Sequence, residues 1–425
     1  MSDLVPDGWS SSKLSDISKV SIGLVTSMTP FYVNNGVPLI RNSDIKENKI
    51  RQSKLINLAP SFSKKHQSRA IKYRDVVTVH TGDIGTSAVV PKELDGCQGF
   101  ATLNTRVKEE ILDPYYLSWF FNTDSYTNFV LSVCTGDGRS NLNLKDFVKS
   151  VIVYPPLPEQ QKIAKILTSI DEVIEKTQAQ IDKLKDLKTG MMQELLTNGI
   201  GNNGKPHTQF KDSPVGRVPA EWEVIRVSEL VTKVGSGVTP KGGSKAYVST
   251  GIPLIRSQNV HSDGLRLDNV SFITDEQHQK MKGSQLQPND VLLNITGASI
   301  GRCYYLPDNF VEGNVNQHVC IIRLKERIIN HVFLTFLLNG QLGQSQIMSL
   351  QAGGNREGLN FQQIREIKLP LPTYKEQLKI SNAVSSIEDK IQINECKLKV
   401  TKNTKKALMQ DLLTGKVRVK VEPSA

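Results

Sequence analysis

The sequence predicts an α+β fold in which one unit, a globular domain followed by a long helix, occurs twice. Three observations predict it: an internal repeat, short β-branched runs bounded by Gly or Asp, and two long segments without proline. The repeat recurs after about 217 residues, whereas solenoid repeats recur after roughly 20–50 residues. We therefore expect two duplicated globular domains separated by two long antiparallel helices that form a coiled coil.

The repeat is visible along the whole chain. Residues 36–41 (Gly-Val-Pro-Leu-Ile-Arg) match residues 251–256 (Gly-Ile-Pro-Leu-Ile-Arg). From residue 142 to residue 197 the copies align without a gap at an offset of 217, which pairs Glu159-Gln160 with Glu376-Gln377. Two copies of one unit suit a ligand whose backbone has its own twofold symmetry, and duplex DNA is such a ligand.

Each globular domain mixes strand and helix patterns. Residues 75–80 (Asp-Val-Val-Thr-Val-His) and 290–295 (Asp-Val-Leu-Leu-Asn-Ile) predict strands, because they are rich in β-branched or apolar residues and begin with Asp. Residues 114–122 and 329–338 predict helices. This mixture favours an α+β domain.

Two proline-free segments of 39 residues, 159–197 and 375–413, predict the long helices. Apolar residues recur in a heptad pattern along both, and two matched seams favour pairing with each other over two separate amphipathic helices. Matched helix centres would place Thr177 opposite Asn394. The predicted seams are Ile163, Leu167, Ile170, Ile174, Thr177, Ile181, Leu184, Lys188, Met191 and Leu195, and Ile380, Val384, Ile387, Ile391, Asn394, Leu398, Thr401, Lys405, Leu408 and Leu412.

These patterns divide the chain into six segments. The predicted segments are a first globular domain (1–157), a first helix (158–198), a Gly/Asn-rich linker (199–217), a second globular domain (218–373), a second helix (374–414) and a tail (415–425).

Charge is unevenly distributed. The net charge is +11, and residues 41–74 hold ten Lys or Arg against two acidic residues. Clustered basic charge indicates phosphate binding, with a solvated basic face as the alternative. The second copy has no comparable cluster, so we expect the copies to differ in their phosphate contacts.

Composition also limits the class of protein. No apolar run approaches the roughly 20 residues of a membrane span, and no secretory signal pattern follows Met1. The five cysteines are scattered and form no Cys-x-x-Cys pair, which favours a reducing compartment and argues against structural zinc. We expect a cytoplasmic protein without a membrane partner.

Catalytic and cofactor motifs are missing from the sequence. The spacing of Gly199, Gly204 and Lys205 resembles a phosphate-binding loop, but Pro206 occupies the position of the Ser or Thr. There is no Gly-x-Gly-x-x-Gly fingerprint, and the seven histidines show no pair at metal-ligand spacing. We therefore expect a chain with no catalytic, cofactor-binding or metal-binding residues.

Glycine-containing loops that follow predicted strands are candidate DNA contacts. Residues 81–85 (Thr-Gly-Asp-Ile-Gly) match 296–301 (Thr-Gly-Ala-Ser-Ile-Gly), and residues 136–141 match 353–358, where each loop carries Arg and Asn. Arg suits guanine edges and Asn suits adenine edges; the alternative is that these loops are only tight turns. The candidate DNA-binding residues are Arg41, Lys46, Lys49, Lys64, Lys65, Thr81, Asp83, Arg139, Asn141, Arg256, Thr296, Ser299, Asn355 and Arg356.

Together these residues resemble the specificity subunit of type I restriction-modification systems. The resemblance covers nearly the whole chain. It rests on the Gly-x-Pro-Leu-Ile-Arg segments, the Thr-Gly…Ile-Gly loops, the Leu-Asn pairs at 142–143 and 359–360, and Pro-x-x-x-Glu-Gln at 155–160 and 372–377. It implies that each globular domain is a target-recognition domain that reads one half of a split DNA site. It also implies that the helices are the conserved regions that space the domains.

The resemblance further implies the partners. These are double-stranded DNA and two modification subunits, which carry S-adenosylmethionine and methylate adenine. Restriction subunits that use ATP and Mg²⁺ can join them. One departure is that residues 373–375 (Thr-Tyr-Lys) replace residues 156–158 (Pro-Leu-Pro) of the first copy, which predicts a less rigid entry into the second helix.

Two other functions stay open at this point. A related specificity subunit could serve a partner in which methylase and nuclease are fused in one chain. A stand-alone DNA-processing enzyme would need a nuclease motif, for which Asp290 with residues 366–368 (Glu-Ile-Lys) is the nearest match.

Overall fold

The computed structural model describes residues 5–134, 141–201, 204–240, 242–351 and 358–421. The chain divides into two compact units. Unit 1 comprises Met1–Ala179 and Glu395–Ala425, and unit 2 comprises Gln180–Asn394. Each unit therefore contains one globular domain and a part of each long helix.

Unit 1 begins with a globular domain of short strands and helices, which leads into the first long helix. Its described strands are β1 (Ser10–Lys13), β2 (Ser18–Ile22), β3 (Tyr32–Val33), β4 (Val37–Arg41), β5 (Ile45–Lys46), β6 (Lys49–Ile50), β7 (Ile56–Leu58), β8 (Val76–Val79), β9 (Ser87–Val89), β10 (Gln98–Phe100), β11 (Thr102–Val107) and β12 (Val151–Tyr154). Its described helices are α1 (Leu14–Ile17), α2 (Pro60–Lys65), α3 (Pro114–Phe121), α4 (Asp124–Val133), α5 (Leu144–Phe147) and α6 (Leu157–Asn198), and the last of these continues into unit 2.

Unit 2 repeats most of this order after an additional hairpin. Its described strands are β13 (Phe210–Ser213), β14 (Gly216–Pro219), β15 (Glu223–Arg226), β16 (Val231–Ser236), β17 (Ile252–Ile255), β18 (Val260–His261), β19 (Gly264–Leu265), β20 (Ser271–Ile273), β21 (Val291–Asn294), β22 (Cys303–Tyr305), β23 (Asn314–Val315), β24 (Val319–Leu324) and β25 (Lys368–Leu371). Its described helices are α7 (Val227–Leu230), α8 (Asp275–Lys280), α9 (His331–Asn339), α10 (Gln341–Gln351), α11 (Phe361–Glu366) and α12 (Tyr374–Leu412), and the last of these continues into unit 1.

The central antiparallel sheet has the same strand order in both domains. The order is β2-β11-β8-β9 in unit 1 and β16-β24-β21-β22 in unit 2. Strands β8 and β21 are buried along their whole length, which explains why their sequences are nearly continuous apolar runs. In a second sheet, β4 pairs in parallel with β10, and β17 pairs in parallel with β23. The prediction of a duplicated α+β domain is confirmed.

An equivalent ion pair joins two neighbouring strands of each central sheet. The Arg106 guanidinium donates to both carboxylate oxygens of Asp75 at 2.8 and 2.7 Å. The Arg323 guanidinium donates to both oxygens of Asp290 at 2.8 and 2.8 Å. Two parallel hydrogen bonds to a carboxylate fix geometry as well as charge, so both sheets are held in the same register.

The predicted seams of the long helices are their buried faces. Every predicted seam residue is buried or half-buried, and most other helix residues are exposed. In unit 1, Ile163 near the start of α6 packs in one cluster with Leu412 at the end of α12. In unit 2, Leu195 near the end of α6 packs against a cluster that contains Ile380 near the start of α12. Within each unit the two helical segments therefore run antiparallel.

Two lysines in the seams are neutralised by the opposite helix. In unit 1, Lys405 Nζ lies 2.7 Å from a carboxylate oxygen of Asp171. In unit 2, Lys188 Nζ lies 2.5 Å from Glu388 Oε1. The two pairs occupy equivalent places in the repeat, because each residue of one is 217 positions from its counterpart.

The Asp171–Lys405 pair indicates the helix register within unit 1. Thr177 lies six residues after Asp171 on α6, and Lys399 lies six residues before Lys405 on α12, so these two residues are level. Asn394 belongs to unit 2. The predicted layer of Thr177 and Asn394 stays a prediction.

A glutamine at the start of each long helix anchors that helix to its globular domain. Gln160 accepts from the Asp113 main chain at 2.8 Å, and its Nε2 donates to two main-chain oxygens at 2.9 and 2.8 Å. Gln377 accepts from the Asn330 main chain at 2.8 Å and donates to two main-chain oxygens at 3.1 and 2.9 Å. Asp113 and Asn330 also cap α3 and α9. The Glu-Gln repeat motif therefore has a structural role.

The preceding glutamate of each motif holds the segment that follows the other helix. The Arg418 guanidinium donates to both oxygens of Glu159 at 2.9 and 2.7 Å. Glu376 accepts from the Ile200 main chain at 2.8 Å and contacts His207 Nε2 at 2.9 Å. The residues predicted as a tail and a linker are thus each bound to the first turn of a long helix within their own unit.

The segment predicted as a linker also contains regular structure. β13 and β14 form a hairpin, and Gly216 adopts φ of +96° at its turn. The prediction missed this hairpin because Gly and Asn dominate only the first part of the segment. The two long helices begin at equivalent residues, Leu157 and Tyr374, despite the different residues around them.

Candidate nucleic-acid interface

Loop residues beyond β4 and β8 form the candidate interface of the first domain. The Asn42 side chain donates to the Thr81 main-chain oxygen at 2.6 Å. The Thr81 hydroxyl donates to Oδ1 of Asn141 at 2.7 Å, and the two residues form an isolated β-bridge. The structure therefore brings together Thr81 and Asn141, two of the predicted site residues, next to the end of β4.

Glycines set the shape of the loops after β8 and β21. Gly82 and Gly85 have φ of +98° and +88°, and Gly297 and Gly301 have φ of +73° and +86°. Residues with a Cβ rarely adopt these angles. A Cβ at Gly82 or Gly297 would meet no atom within 4 Å. At these two positions the glycine is required by backbone conformation and not by lack of space.

The second domain builds a polar chain at the equivalent place. The Thr296 hydroxyl lies 2.5 Å from His318 Nδ1, and His318 Nε2 lies 3.1 Å from the Gln317 side chain. Gln317 in turn accepts a short hydrogen bond from the Thr239 hydroxyl. Ser299 accepts from the Asn294 side chain at 3.2 Å. Thr296 and Ser299 thus lie at one end of this domain's central sheet.

Both domains place an imidazole against the loop threonine, but the two histidines flank different strands. In the first domain His80 immediately precedes Thr81, and its Nδ1 lies 2.8 Å from the Thr81 hydroxyl. In the second domain the histidine is His318, which occupies the repeat position of Ala101. Sequence reasoning missed both histidines because it tested them only for metal-ligand spacing. The adjacency of His80 to the Thr-Gly loop was a usable signal.

Burial also affects the charge of the His80 ring. Desolvation lowers the pKa of His80 below its ordinary value. The ring is therefore neutral near pH 7, and it contributes a hydrogen-bonding group and no positive charge to the site.

The predicted lysines fall into two groups. Lys46 Nζ lies 3.8 Å from Asp83, and Lys49 Nζ lies 2.6 Å from Glu175 on α6. All four side chains are largely exposed, so solvent screens both pairs. Lys64 and Lys65, in the last turn of α2, are exposed and form no ion pair within the described part of the chain. Both ammonium groups are therefore available to a phosphate.

The two predicted arginines differ in their partners. Arg41 forms a bidentate pair with Asp44 at 2.9 and 3.0 Å. Arg256 instead lies over the ring of Tyr247, with its guanidinium carbon 5.4 Å from the ring centroid. The remaining predicted residues Arg139, Asn355 and Arg356 lie outside the described residues.

Asp290 and two buried cysteines have structural surroundings. The carboxylate of Asp290 is bound by Arg323, as described above. Burial raises the pKa of the Cys97 and Cys320 thiols to about 12, with a neighbouring Asp75 charge adding to the shift at Cys97. These thiols are protonated near neutral pH, and a protonated thiol is a weak nucleophile.

The described ranges contain neither a metal-binding cluster nor a membrane-spanning helix. There, no group of three or more His, Cys, Asp or Glu side chains is arranged to hold a metal ion. Nor does any helix in those ranges combine the length and apolar character of a membrane span. That this chain itself binds no metal or cofactor stays a prediction.

Comparison with known proteins identifies the family. The family model of the type I restriction modification DNA specificity domain matches residues 6–186 and 219–402. The chain is 30% identical over 316 residues to the specificity subunit of the type I restriction enzyme MjaVIII of Methanocaldococcus jannaschii, covering 74% of this chain and 72% of that relative. It is 26% identical over 437 residues to the putative MjaX specificity subunit of the same organism, covering 98% and 95%.

The fold agrees with a solved member of the family. The S subunit of a type I restriction-modification system from M. genitalium superposes with a TM-score of 0.63 at 14% sequence identity, covering 97% of this chain and 98% of that chain. The family matches fall on both copies of the repeat, and each includes a globular domain and most of its long helix. The chain therefore belongs to the type I restriction-modification DNA specificity subunits.

Proposed function

We propose that each globular domain reads one half of a bipartite DNA site, at which partner subunits methylate adenine or cleave. The observation that carries this proposal is that both domains build the same sheet and the same threonine–histidine contact, yet differ in loop residues. Asp83 and Lys46 of the first domain correspond to Ala298 and His261 of the second. A shared scaffold with different loops suits two readers of different half-sites.

The candidate residues suit two kinds of DNA contact, one to the phosphates and one to the base edges. The exposed lysines Lys64 and Lys65 suit phosphate oxygens, which fix orientation but carry no sequence information. The polar side chains around Thr81 and Thr296 can donate to and accept from base edges in the major groove. Sequence readout is therefore assigned to the loops and affinity mainly to the basic residues.

We further propose that this chain is a non-catalytic, cytoplasmic subunit that works with two modification subunits. S-adenosylmethionine, and ATP with Mg²⁺ for restriction, would be bound by the partners. The long helices support this assignment, because their seams are internal and their outer faces are exposed. Two equivalent helical surfaces would accept two copies of a partner.

Docking on the helices is testable with α6 residues that point away from the seam. Lys183 and Asp186 are both exposed. The double charge reversal Lys183→Glu with Asp186→Lys keeps the net charge and should weaken binding of the modification subunit, while the choice of DNA site is retained. A variant that binds the partner normally would exclude this face as the docking surface.

Methyl transfer by reconstituted complexes tests the proposed function. The full chain is mixed with S-adenosylmethionine and a duplex that carries the site mapped in the source genome, with and without purified modification subunit. We expect adenine methylation only in the presence of both proteins, and only on the cognate duplex. Methylation or cleavage by the chain alone would contradict the non-catalytic assignment. If the two proteins together methylated cognate and non-cognate duplexes equally, the proposed sequence-specific DNA recognition would be contradicted.

A further inference from the structure

The two repeat copies contain an equivalent arginine in an equivalent turn. Arg41 ends β4, and Arg256 directly follows β17. The Arg41 main-chain N–H donates to Oδ2 of Asp44 at 3.0 Å, and the Arg256 main-chain N–H donates to Oδ1 of Asn259 at 3.0 Å. The turn is therefore the same in both domains, and the two arginine side chains start from matching positions.

The Arg41 guanidinium is neutralised within its own domain. Its Nε and Nη2 donate to the two carboxylate oxygens of Asp44 at 2.9 and 3.0 Å, and Nη2 also contacts the Lys54 main-chain oxygen at 3.4 Å. Asp44 is buried. Its hydrogen bond to the guanidinium raises the pKa of Arg41 above the ordinary value. A fork that is occupied by a buried carboxylate has little capacity left for a ligand.

The Arg256 guanidinium has no such partner. Asn259 uses Oδ1 for the Arg256 main chain, and its Nδ2 donates to the Arg266 main-chain oxygen at 2.7 Å. The Arg256 side chain makes no hydrogen bond or ion pair with the residues that the structure describes, and its Nε is buried without an acceptor. The ring of Tyr247 contributes a face but no negative charge. The positive charge of Arg256 is therefore uncompensated, which is unfavourable for a partly buried donor.

Arg256 lies beside the candidate contact loop of its domain. The main-chain oxygen of Ser257, the next residue, accepts from Nδ2 of Asn294 at 2.9 Å. Asn294 ends β21, directly before Ile295 and the 296–301 loop. Its Oδ1 is buried and has no donor within the described residues. The turn that carries Arg256 is thus tied to the strand that presents this loop.

The surrounding charges make Arg256 more important in the second domain than Arg41 is in the first. Residues 256–289 hold four Lys or Arg and four acidic residues, in contrast to ten and two in residues 41–74. Arg266 is paired with Asp263 at 2.8 Å, and Lys280 is paired with Glu276 at 2.5 Å. Residues 256–289 therefore form no lysine-rich patch, and Arg266 and Lys280 already have carboxylate partners.

We propose that Arg256 binds a DNA backbone phosphate in the second domain, and that Asp44 withholds the equivalent Arg41 from this role in the first. The inference rests on the proposed DNA recognition. A partly buried cation without a counter-charge gains more from an anion than from a neutral acceptor, which selects phosphate over the edge of a guanine base. The residue three positions after the arginine, Asp44 or Asn259, then decides whether each domain uses its arginine on DNA.

Exchanging those two residues tests the proposal with internal controls. Both Asn259→Asp and Asp44→Asn keep a side-chain oxygen for the main-chain hydrogen bond that forms the turn. Binding of the full chain to a duplex with its mapped site is measured over a range of salt concentrations. Asn259→Asp should weaken binding about tenfold and lower the salt slope by about one unit, because the new carboxylate occupies Arg256. Asp44→Asn should raise the slope by about one unit, because it releases Arg41.

Two further variants separate this effect from misfolding. Arg256→Gln should lower the salt slope as Asn259→Asp does, and Arg256→Lys should retain most of it. Unfolding midpoints close to that of the wild type would show that the variants are folded. Unchanged salt slopes in both Asn259→Asp and Arg256→Gln would overturn the proposal. A loss confined to duplexes with one particular base pair would also overturn it, since that is the signature of base readout.

Failure of the proposed function would be seen separately. It would appear as equal affinity of the wild-type chain for the mapped site and for a scrambled duplex. The salt slopes of the variants still test the Arg256 assignment in that case, because phosphate contacts do not depend on sequence.

Discussion

The two globular domains share their internal restraints and differ on their outer surfaces. Both contain the arginine–aspartate pair across the central sheet and the glutamine that anchors the long helix, with closely matching distances. The basic stretch at residues 41–74 has no counterpart in the second domain. The two copies have therefore kept the hydrogen bonds and ion pairs that stabilise the fold, and they differ in the surface charges available to a ligand.

The same contrast exists at the starts of the helices. Glu159 is satisfied by Arg418 and the Val419 main chain. Glu376, its repeat counterpart, is satisfied by His207, the Ile200 main chain and the indole N–H of Trp222 at 3.2 Å. One carboxylate position is kept in both copies while its partners differ, which shows that the position matters more than the chemistry of any one partner.

The glutamine anchors should give the largest effects, and these should be equal in the two units. Gln160→Ala or Gln377→Ala removes three hydrogen bonds and leaves buried main-chain groups without partners. We expect each to reduce the free energy of unfolding of its own unit by about 3 kcal/mol. Hydrogen exchange followed by mass spectrometry locates the loss.

Gln161→Ala is the matched control, because Gln161 is the exposed neighbour of Gln160. It should change the protection of neither unit. If a single glutamine change reduced hydrogen-exchange protection equally in both units, the two units would unfold together. The expectation that each glutamine stabilises only its own unit would then be wrong.

The seam ion pairs should give the next largest effects. Lys188→Met leaves Glu388 as an uncompensated charge in a mostly buried seam, and Lys405→Met does the same to Asp171. We expect losses of about 1–3 kcal/mol. The Lys405 change should cost more, because its ammonium also lies 4.9 Å from the centroid of the Trp119 ring.

Exchanging the charges checks that pairing is the cause. The double variant Lys188→Glu with Glu388→Lys should recover most of the stability that either single change loses, as measured by chemical unfolding. If the double variant is as unstable as the two losses combined, the pair does not set the register of the helices.

The Glu159 contact should make the stability of unit 1 depend on acid pH. Burial raises the pKa of Glu159, but the Arg418 guanidinium and the Val419 N–H outweigh it, so the pKa lies below the ordinary value. A carboxylate with a lowered pKa stabilises the folded state at pH values above the ordinary carboxylate pKa. This stabilisation is lost as the pH falls through the folded-state pKa. Glu159→Gln should therefore destabilise unit 1 at pH 7 and matter progressively less below about pH 4.

An exposed glutamate of the same helix serves as the comparison. Glu172→Gln should have little effect at either pH, because its pair with Lys176 is largely exposed. A penalty for Glu159→Gln that stays constant down to pH 3 would mean that charge plays no part in this contact.

The smallest expected effect concerns the unpaired lysines of the first domain. Lys64→Gln with Lys65→Gln should lower the salt slope of DNA binding by about two units without changing the preferred site. Lys46→Gln and Lys49→Gln should each do less, since these lysines already contact Asp83 and Glu175. The double change Lys397→Gln with Lys402→Gln, at exposed positions of α12, is the charge-matched control.

Much of this architecture follows from sequence alone, because duplication makes each pattern visible twice. The two domains and the heptad seams are set by apolar periodicity, which the sequence states directly. The ion pairs between the helices are different in kind, because Lys188 and Lys405 interrupt the apolar seams and pair with acidic residues of the other helix. The residue pattern of one helix alone does not show which residue of the other helix each lysine contacts.

The candidate interface was less predictable for the same reason. Thr81 and Thr296 are recognisable from the repeat, but their histidine partners flank different strands, so alignment of the copies hides His318. The difference between Arg41 and Arg256 depends on one residue of the turn, which is Asp44 in the first domain and Asn259 in the second. That change matters only once the turn shows which atoms the side chain reaches.

Exchange of one globular domain tests the central claim most directly. Residues 1–157 are replaced by the equivalent domain of a relative with a different site, and methylated adenines are mapped in cells that also produce the modification subunit. Independent readers predict that one half of the methylated sequence changes and the other half is retained. A change in both halves, or in neither, would contradict the account of two separate readers on a repeated scaffold.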